Sequence, residues 1–265
     1  MSKIQPLISV IIANYNTEKF IAKCLDSLLS QTYKNIEIII CDDNSSDNSV
    51  SIIQEYVDKY PQIRLLKNET NLRAAATRNK CLDIANGAYI AIQDADDFST
   101  QDRFEKQIQY LLKHVDIDFV SAQAFLFSGE EYTSKGVMRF GNEYPSKWNF
   151  LWGLPFIHPA TMFRTECIKR VDGYRVSKET RRGQDYDMFM RMYAKGFKGA
   201  NICEPLYWYR LDENTVKRHG NSSSRDEFLV RIQGYKSMGL MPVGYLFAIK
   251  PYIANLAHNL GWFKF

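Results

Sequence analysis

Residues 7–16 read LISVIIANYN, a run rich in Ile and Val that ends abruptly in the polar Asn14-Tyr15-Asn16. A continuous β-branched run of this length is the pattern of a strand covered on both faces, as in a parallel sheet. The chain then repeats the theme. A helix follows with Thr17 as its cap and Phe20, Ile21, Cys24, Leu25, Leu28 and Leu29 on one face. A second buried strand over 36–41 (IEIIIC) runs into the acidic turn 42–47, and a helix carries Ile52, Ile53, Tyr56 and Val57 inward. A short strand at 63–66, a helix over 74–85 stopped by Gly87, and a strand over 88–93 (AYIAIQ) follow. A helix over 102–115 places Phe104, Ile108, Leu111 and Leu112 inside. Such alternation predicts an α/β fold built on a mainly parallel sheet. Ligands of such sheets bind at the carboxyl ends of the strands. Here three strands end in Asn14-Tyr15-Asn16, Asp42-Asp43 and Asp94-Ala95-Asp96-Asp97, so three polar clusters are expected along one edge.

The second half is less regular. We expect strands at 118–127, 156–164 and 201–210, an irregular or hairpin segment at 129–144, a helix over 185–194 and a polar loop at 214–225. At 265 residues the chain suits one large domain, or one domain with a small appendage, and we divide it at 1–220 and 221–265. Hydrophobic residues make up 45% and charged residues 24%, enough for a core that needs no disulfides. The five cysteines are scattered without a CxxC pair, which argues against zinc and disulfide scaffolds. Cys24, Cys41 and Cys81 sit in apolar patterns and read as small core residues, a usage that suits a reducing, cytoplasmic compartment. The apolar run at the N-terminus is too short for a signal peptide, and no stretch approaches the ~18 apolar residues of a membrane span. A net charge of +4 does not call for nucleic acid.

The Asp94–Asp97 run admits two readings. Clustered carboxylates gather a divalent cation and, with it, phosphate oxygens; a solvated, helix-capping acidic turn has the same composition. The run Asp42-Asp43-Asn44-Ser45-Ser46-Asp47 is equally double: a carboxylate there can accept the N3–H of uracil, while Asp47 or Asn48 can simply cap the next helix.

Together, ISVIIANYN (8–16), CDDNSSDNS (41–49), NLRAAATRN (71–79), QDADD (93–97) and GQDYDMFMR (183–191) resemble the family 2 glycosyltransferases of the GT-A fold, a Rossmann-like nucleotide-binding architecture. The resemblance covers about residues 5–210. It implies an inverting reaction with a nucleotide-diphosphate-sugar donor, assisted by Mn²⁺ or Mg²⁺. Carried over position by position, it sets Ala13 and Tyr15 against the nucleobase, Asp43 on uracil, and Arg78 near the donor phosphates or sugar. Asp94 and Asp96 match the DxD pair, with Asp96 the direct metal ligand, and Asp185 matches the catalytic base. Three positions depart from the family pattern. Arg73 stands where a glycine is usual, Gln184 replaces an acid before Asp185, and no histidine directly follows Tyr209-Arg210. His219, further on, could close over the diphosphate, ligate the metal, or be a surface residue. His158 reads as a satisfied buried histidine or an acceptor-side contact; Trp148, Trp152 and Phe156 could stack on sugars or simply pack.

Residues 228–265 hold no Asp or Glu, four cations (Arg231, Lys236, Lys250, Lys264) and eight aromatics. A basic, aromatic tail suits an anionic membrane surface; a helical subdomain packed on the core and a homodimer contact are the competing expectations. The expected function is transfer of one sugar to a glycan or lipid-linked acceptor of a surface polysaccharide, on the inner face of the cell membrane. A nucleotidyltransferase needs a glycine-rich phosphate loop that Asn14-Tyr15-Asn16 does not supply, and a non-catalytic binder has no need of Asp94, Asp96 and Asp185 together.

Overall fold

The computed structural model describes residues 5–129, 131–211 and 222–259. Its centre is a nine-stranded sheet. The strands are β1 (Ile8–Asn14), β2 (Ile36–Asp42), β3 (Ile63–Lys67), β4 (Tyr89–Ile92), β5 (Phe98–Ser99), β6 (Phe119–Ser128), β7 (Glu131–Met138), β8 (Met162–Arg164) and β9 (Gly199–Arg210). They lie in the order β3-β2-β1-β4-β8-β6-β9-β5, with β7 paired to β6. β1 pairs in parallel with both β2 and β4, β2 with β3, and β6 with β9. β8 runs against both β4 and β6, so six strands share one direction, and β5, β7 and β8 oppose it. The mainly parallel sheet is as expected.

The helices are α1 (Ile21–Leu29), α2 (Ser49–Lys59), α3 (Arg73–Asp83), α4 (Arg103–Lys113), α5 (Thr165–Arg170), α6 (Gln184–Ala194), α7 (Ser222–Ser237), α8 (Val243–Ala248) and α9 (Lys250–Asn259). Strand alternation divides them between two faces. Ile8, Val10, Ile12, Ile38 and Ile40 pack with α1, α2 and α4; Ile11, Ile39, Ile90 and Ile92 pack with α3, α6 and α7. Cover on both sides explains why β1 and β2 read as unbroken apolar runs. Cys24, Cys41 and Cys81 are buried in these two cores, as read, and all five thiols are free.

Several local readings are corrected. Thr17 does not cap α1; its hydroxyl donates to Asn14 Oδ1, and the helix begins at Ile21. Gly87 stops no helix, since α3 ends four residues earlier. A Cβ there would lie 2.6 Å from the Ser9 backbone nitrogen, so glycine lets this segment press against β1. Leu112 is 54% exposed, one position off the buried face of Phe104, Ile108 and Leu111. The strand expected over 156–164 shrinks to β8, because Pro159 has no N–H for a ladder and sits in a 3-10 turn, His158–Ala160. The segment at 129–144 is a hairpin in its first part, β7 against β6. Of the polar loop at 214–225, residues 214–221 lie outside the described residues, and those from Ser222 onward begin α7.

The C-terminal helices pack on the core, one of the alternatives weighed for the extension. Val230, Tyr235, Met238, Leu240 and Ala248 join the same apolar cluster as α3 and α6. A Cβ on Gly234 would stand 2.2 Å from Met190 Sδ, so glycine permits the close approach of α7 to α6. Tyr186 and Tyr235 share a hydroxyl contact of 3.1 Å over the carbonyl of Phe150.

One charge lies wholly inside. Arg103 is 0% exposed. It donates to Gln107 Oε1, Gln93 Oε1, Ser99 Oγ and the carbonyls of Ile92 and Pro159. Its guanidinium also lies 4.9 Å from the centre of the Tyr207 ring. Burial pulls its pKa down to about 10, which leaves it charged at neutral pH. In Arg103→Met those acceptors lose their donors inside the core. Urea unfolding is expected to show a loss of about 2–4 kcal/mol; an unchanged midpoint and slope would show that these bonds carry no net stability.

Candidate active site

Parallel pairing of β1 with β2 and β4 sets the three polar strand ends side by side. At the end of β1, Asn14 donates to Asp42 Oδ1 at 2.6 Å, which spends Asp42 on the turn together with Ser45. Ala13 is half-buried and Tyr15 is 50% exposed. Asp43 is buried, and its carboxylate accepts from Asn68 Nδ2 at 2.8 Å and from the backbone N–H groups of Leu72 (2.7 Å) and Arg73 (2.8 Å). Arg73 has φ +69°, a left-handed conformation in which glycine carries no Cβ penalty. The Asp43 carboxylate thus fixes an arginine backbone where the family pattern has glycine. With three internal donors on two oxygens, it keeps room for about one more hydrogen bond. Asp47 accepts from Ser49 N–H and hydroxyl, and from Glu18 N–H, joining the start of α2 to the loop before α1.

The acidic loop after β4 is tied down by arginines. Arg78, on α3 and 7% exposed, donates from Nη2 to Asp94 Oδ1 at 2.6 Å. Arg210, at the end of β9, donates to Asp96 Oδ2 at 2.6 Å and lies 4.1 Å from the centre of the Phe20 ring. Its backbone N–H reaches Asp97 Oδ1 at 2.7 Å. The Tyr207 hydroxyl accepts from Asp94 N–H and from Gln93 Nε2, both at 3.1 Å. Burial raises the Asp94 carboxyl, with Arg78 opposing and Asp96 adding to the shift. Asp97 is pushed well up by burial and then by Asp96 and Asp94. For Arg78, burial lowers the pKa, but Asp94 and Tyr174 outweigh it and the net shift is upward. The Nε–H groups of Arg78 and Arg210 are buried and have no partner among the described residues.

A cavity of about 270 Å³ opens beside this loop. Asp94, Arg78, His158, Arg182, Gln184 and Asp185 all line it. Asp185 stands in the first turn of α6 and accepts from Tyr186 N–H at 2.8 Å. Burial raises its carboxyl from the ordinary aspartate value, opposed by that N–H and by Arg78. His158 Nε2 is 2.7 Å from the Tyr174 hydroxyl, and the Tyr174 ring lies beneath Arg78. Burial and then Arg78 hold the imidazole well below its usual pKa, so it is neutral at neutral pH. Phe156 touches the cavity from the core, 1% exposed against Phe119 and Phe189. Trp152 is not on this cavity. It is 73% exposed and walls a second one of about 310 Å³ that shares Phe140 and Leu154 with the first. His219 lies outside the described residues.

The fit to a divalent cation can be judged from the donor set. Among the described residues no three His, Cys, Asp or Glu side chains form a metal cage. Asp94 and Asp96 are a pair of hard oxygen donors, 28% and 36% exposed at their side chains. Mg²⁺ and Mn²⁺ are held by one or two carboxylates together with substrate phosphates, so the pair fits. Arg103, Tyr207 and Arg210, which build this loop, were not singled out as site residues in the sequence. Arg103 stands in the first turn of a helix where a surface charge is ordinary, and no local pattern marks it as buried.

Residues 9–172 match the family described as Glycosyl transferase family 2. EpsE of Bacillus subtilis, which carries the name of a glycosyltransferase, is 37% identical over 249 residues, covering 94% of this chain and 88% of that protein. WfaP of Escherichia coli, named as a UDP-Glc:alpha-D-GlcNAc-diphosphoundecaprenol beta-1,3-glucosyltransferase, is 31% identical over 88% of this chain and 87% of its own length. Among solved structures, Staphylococcus aureus TarS 1–349 in complex with UDP-GlcNAc superposes with TM-score 0.69 at 20% identity, over 85% of this chain and 66% of that one. The mannosyltransferase PcManGT from Pyrobaculum calidifontis, in complex with GDP-Man and Mn²⁺, gives TM-score 0.67 at 17% identity over 98% and 77%. With a family match across more than half its length and relatives aligned nearly end to end, the chain belongs to the family 2 glycosyltransferases and has their GT-A fold.

Proposed function

We propose that the protein moves one sugar, with inversion, from a nucleotide-diphosphate sugar to a hydroxyl of a glycan or lipid-linked acceptor in cell-surface polysaccharide assembly. The observation that carries this reading is the shared cavity: the carboxylate of Asp185 faces the same space as Arg78 and Asp94. In this reading Asp185 takes the proton of the acceptor hydroxyl as its oxygen attacks the anomeric carbon. The bond from that carbon to the diphosphate oxygen breaks on the opposite side, and one displacement inverts the centre. Arg78 meets the departing diphosphate from the wall of the cavity. A divalent cation on Asp94 and Asp96, when bound, would neutralise charge on that diphosphate. His158 stays neutral and, with Tyr174, braces the acceptor side. Ala13 and Tyr15 border the base, and the remaining acceptor capacity of Asp43 suits the N3–H of uracil. UDP is favoured by this acid, and its use by WfaP and its presence in the TarS complexes support the choice. The WfaP acceptor, a sugar on a lipid diphosphate, supports a lipid-linked acceptor here. The family match speaks against a nucleotidyltransferase.

Replacing Asp185 by Asn is expected to lower kcat by about 10²–10⁴-fold with donor affinity nearly unchanged. Turnover and calorimetric titration of the UDP-sugar measure the two; unimpaired turnover would remove Asp185 from the base role. The base acts as a carboxylate, and burial raises its pKa. Hence kcat/KM should level off above that raised value and fall about tenfold per unit once the pH drops below it, at a higher pH than the ~4 of an ordinary aspartate. A profile level down to pH 4 would contradict the assignment. UDP should raise the melting temperature only with Mn²⁺ or Mg²⁺, and Asp96→Ala should abolish the rise; equal stabilisation without metal would sink the metal assignment.

A further inference from the structure

Packing of α7–α9 on the core leaves one face of α8 and α9 uncovered by the described residues. Tyr245, Leu246, Ile249, Tyr252, Ile253 and Leu256 follow each other at helical spacing across the break between the two helices. Their exposures run from 42% to 71%. With Val243 they make seven of the seventeen large apolar side chains exposed among the described residues, gathered in fourteen positions. No carboxylate lies in this segment. From residue 228 onward the chain carries four cations and no Asp or Glu. Lys250 sits at the border of the stripe, 4.6 Å from the centre of the Trp152 ring and 5.4 Å from that of Phe247. Lys147 and Lys236 are exposed, Lys236 in the last turn of α7 and Lys147 with its Nζ on the carbonyl of Met238, just past that helix.

We infer that the α8–α9 face docks on an anionic lipid bilayer. Apolar and Tyr side chains in a stripe, flanked by Lys and Trp and free of acids, are the composition of a helix lying in the headgroup boundary. Neither helix is long enough to span, and no helix among the described residues is long and apolar enough to cross a membrane. Lysines beside the stripe meet a surface rich in negative headgroups. A second copy fits less well, because a two-fold contact sets each lysine-bordered stripe against its own like charges. The face also lies close to the site. Trp152 stacks edge-on against Phe247 of α8 at 5.1 Å and walls the second cavity, which has Phe140 and Leu154 in common with the lining of the first. If the function proposed above holds, docking would bring a lipid-linked acceptor to the Asp185 cavity from the bilayer side. The docking itself does not depend on that reading.

Co-sedimentation of the full chain with vesicles of phosphatidylcholine alone, or with about 30% phosphatidylglycerol added, tests it. The chain should pellet with the anionic vesicles, and less so as salt rises. Leu246→Glu with Ile253→Glu should cut the partition coefficient about tenfold or more, with the melting temperature unchanged because both positions are exposed. Leu112→Glu, an equally exposed leucine on α4, should bind as the unaltered chain does. Brominated lipids should quench tryptophan fluorescence in the unaltered chain, a readout that needs no variant. Failure to pellet or quench would overturn the inference, as would equal loss in Leu112→Glu. So would a lipid-free dimer, in analytical ultracentrifugation, that the double substitution dissociates. Metal-dependent stabilisation by UDP is read on the same samples; its absence would count against the proposed transfer and leave the vesicle result standing.

Discussion

Asp94, Asp96 and Asp97 stand within four residues at the end of β4, and the loop that holds them together must be neutralised from beneath and from both sides. Beneath lies Arg103, wholly buried, which does not pair with a carboxylate but pins the frame around them: Gln93, Ser99 and the carbonyls of Ile92 and Pro159. At the sides stand Arg78 from α3 and Arg210 from β9, each 2.6 Å from its carboxylate. Three separate elements, α3, α4 and β9, are thereby bound to one short turn. Such convergence makes the loop rigid without making it neutral at its outer edge, where Asp96 stays partly exposed. An acidic edge held in place beside arginines is the arrangement that the proposed donor diphosphate and its cation would need. The arginines oppose the mutual repulsion that would otherwise disperse the acids.

The sheet and the places of the polar clusters were legible because they follow from period and composition. The isoleucines of β1 and β2 announce a strand with two covered faces, and the abrupt change at Asn14, Asp43 and Asp94 marks where each leaves the core. Parallel pairing then leaves those ends no choice but to be neighbours. The residues drawn from far along the chain were not legible in this way. Arg103 and Tyr207 look like a helix-surface charge and a strand aromatic; only the crossing of β9 beside β5, behind α4, makes them interior partners of the acidic turn. Thr17 and Gly87 carried correct local chemistry for cap and stop signals. Nearby tertiary partners, Asn14 for one and the backbone of Ser9 for the other, claimed them instead.

Asp43 shows how one position can carry both kinds of information. Its three internal donors give it a structural duty that no motif reveals: it closes the turn from Asn68 to Arg73 and holds Arg73 at positive φ. An arginine in that conformation has a steric cost that glycine lacks, so the turn depends on this carboxylate more than a glycine-bearing turn would. Fixing the carboxylate by backbone donors also fixes the direction of its remaining lone pair. An acceptor aimed in advance can discriminate a ring N–H better than a mobile side chain, because little ordering is left to be done on binding.

The C-terminal helices act on the same site from the opposite side. α6 carries Asp185 in its first turn, and the next residue, Tyr186, is tied through its hydroxyl to Tyr235 of α7 and to the Phe150 carbonyl. Gly234 brings α7 against Met190 on the inner face of α6, and α8 closes over Tyr235 at Gly244. The position of the Asp185 carboxylate therefore depends on α7 and, through α7, on α8. The exposed stripe and the helix that carries Asp185 are thus parts of one packed unit, so the extension is better regarded as a buttress of that helix than as an appendage to it.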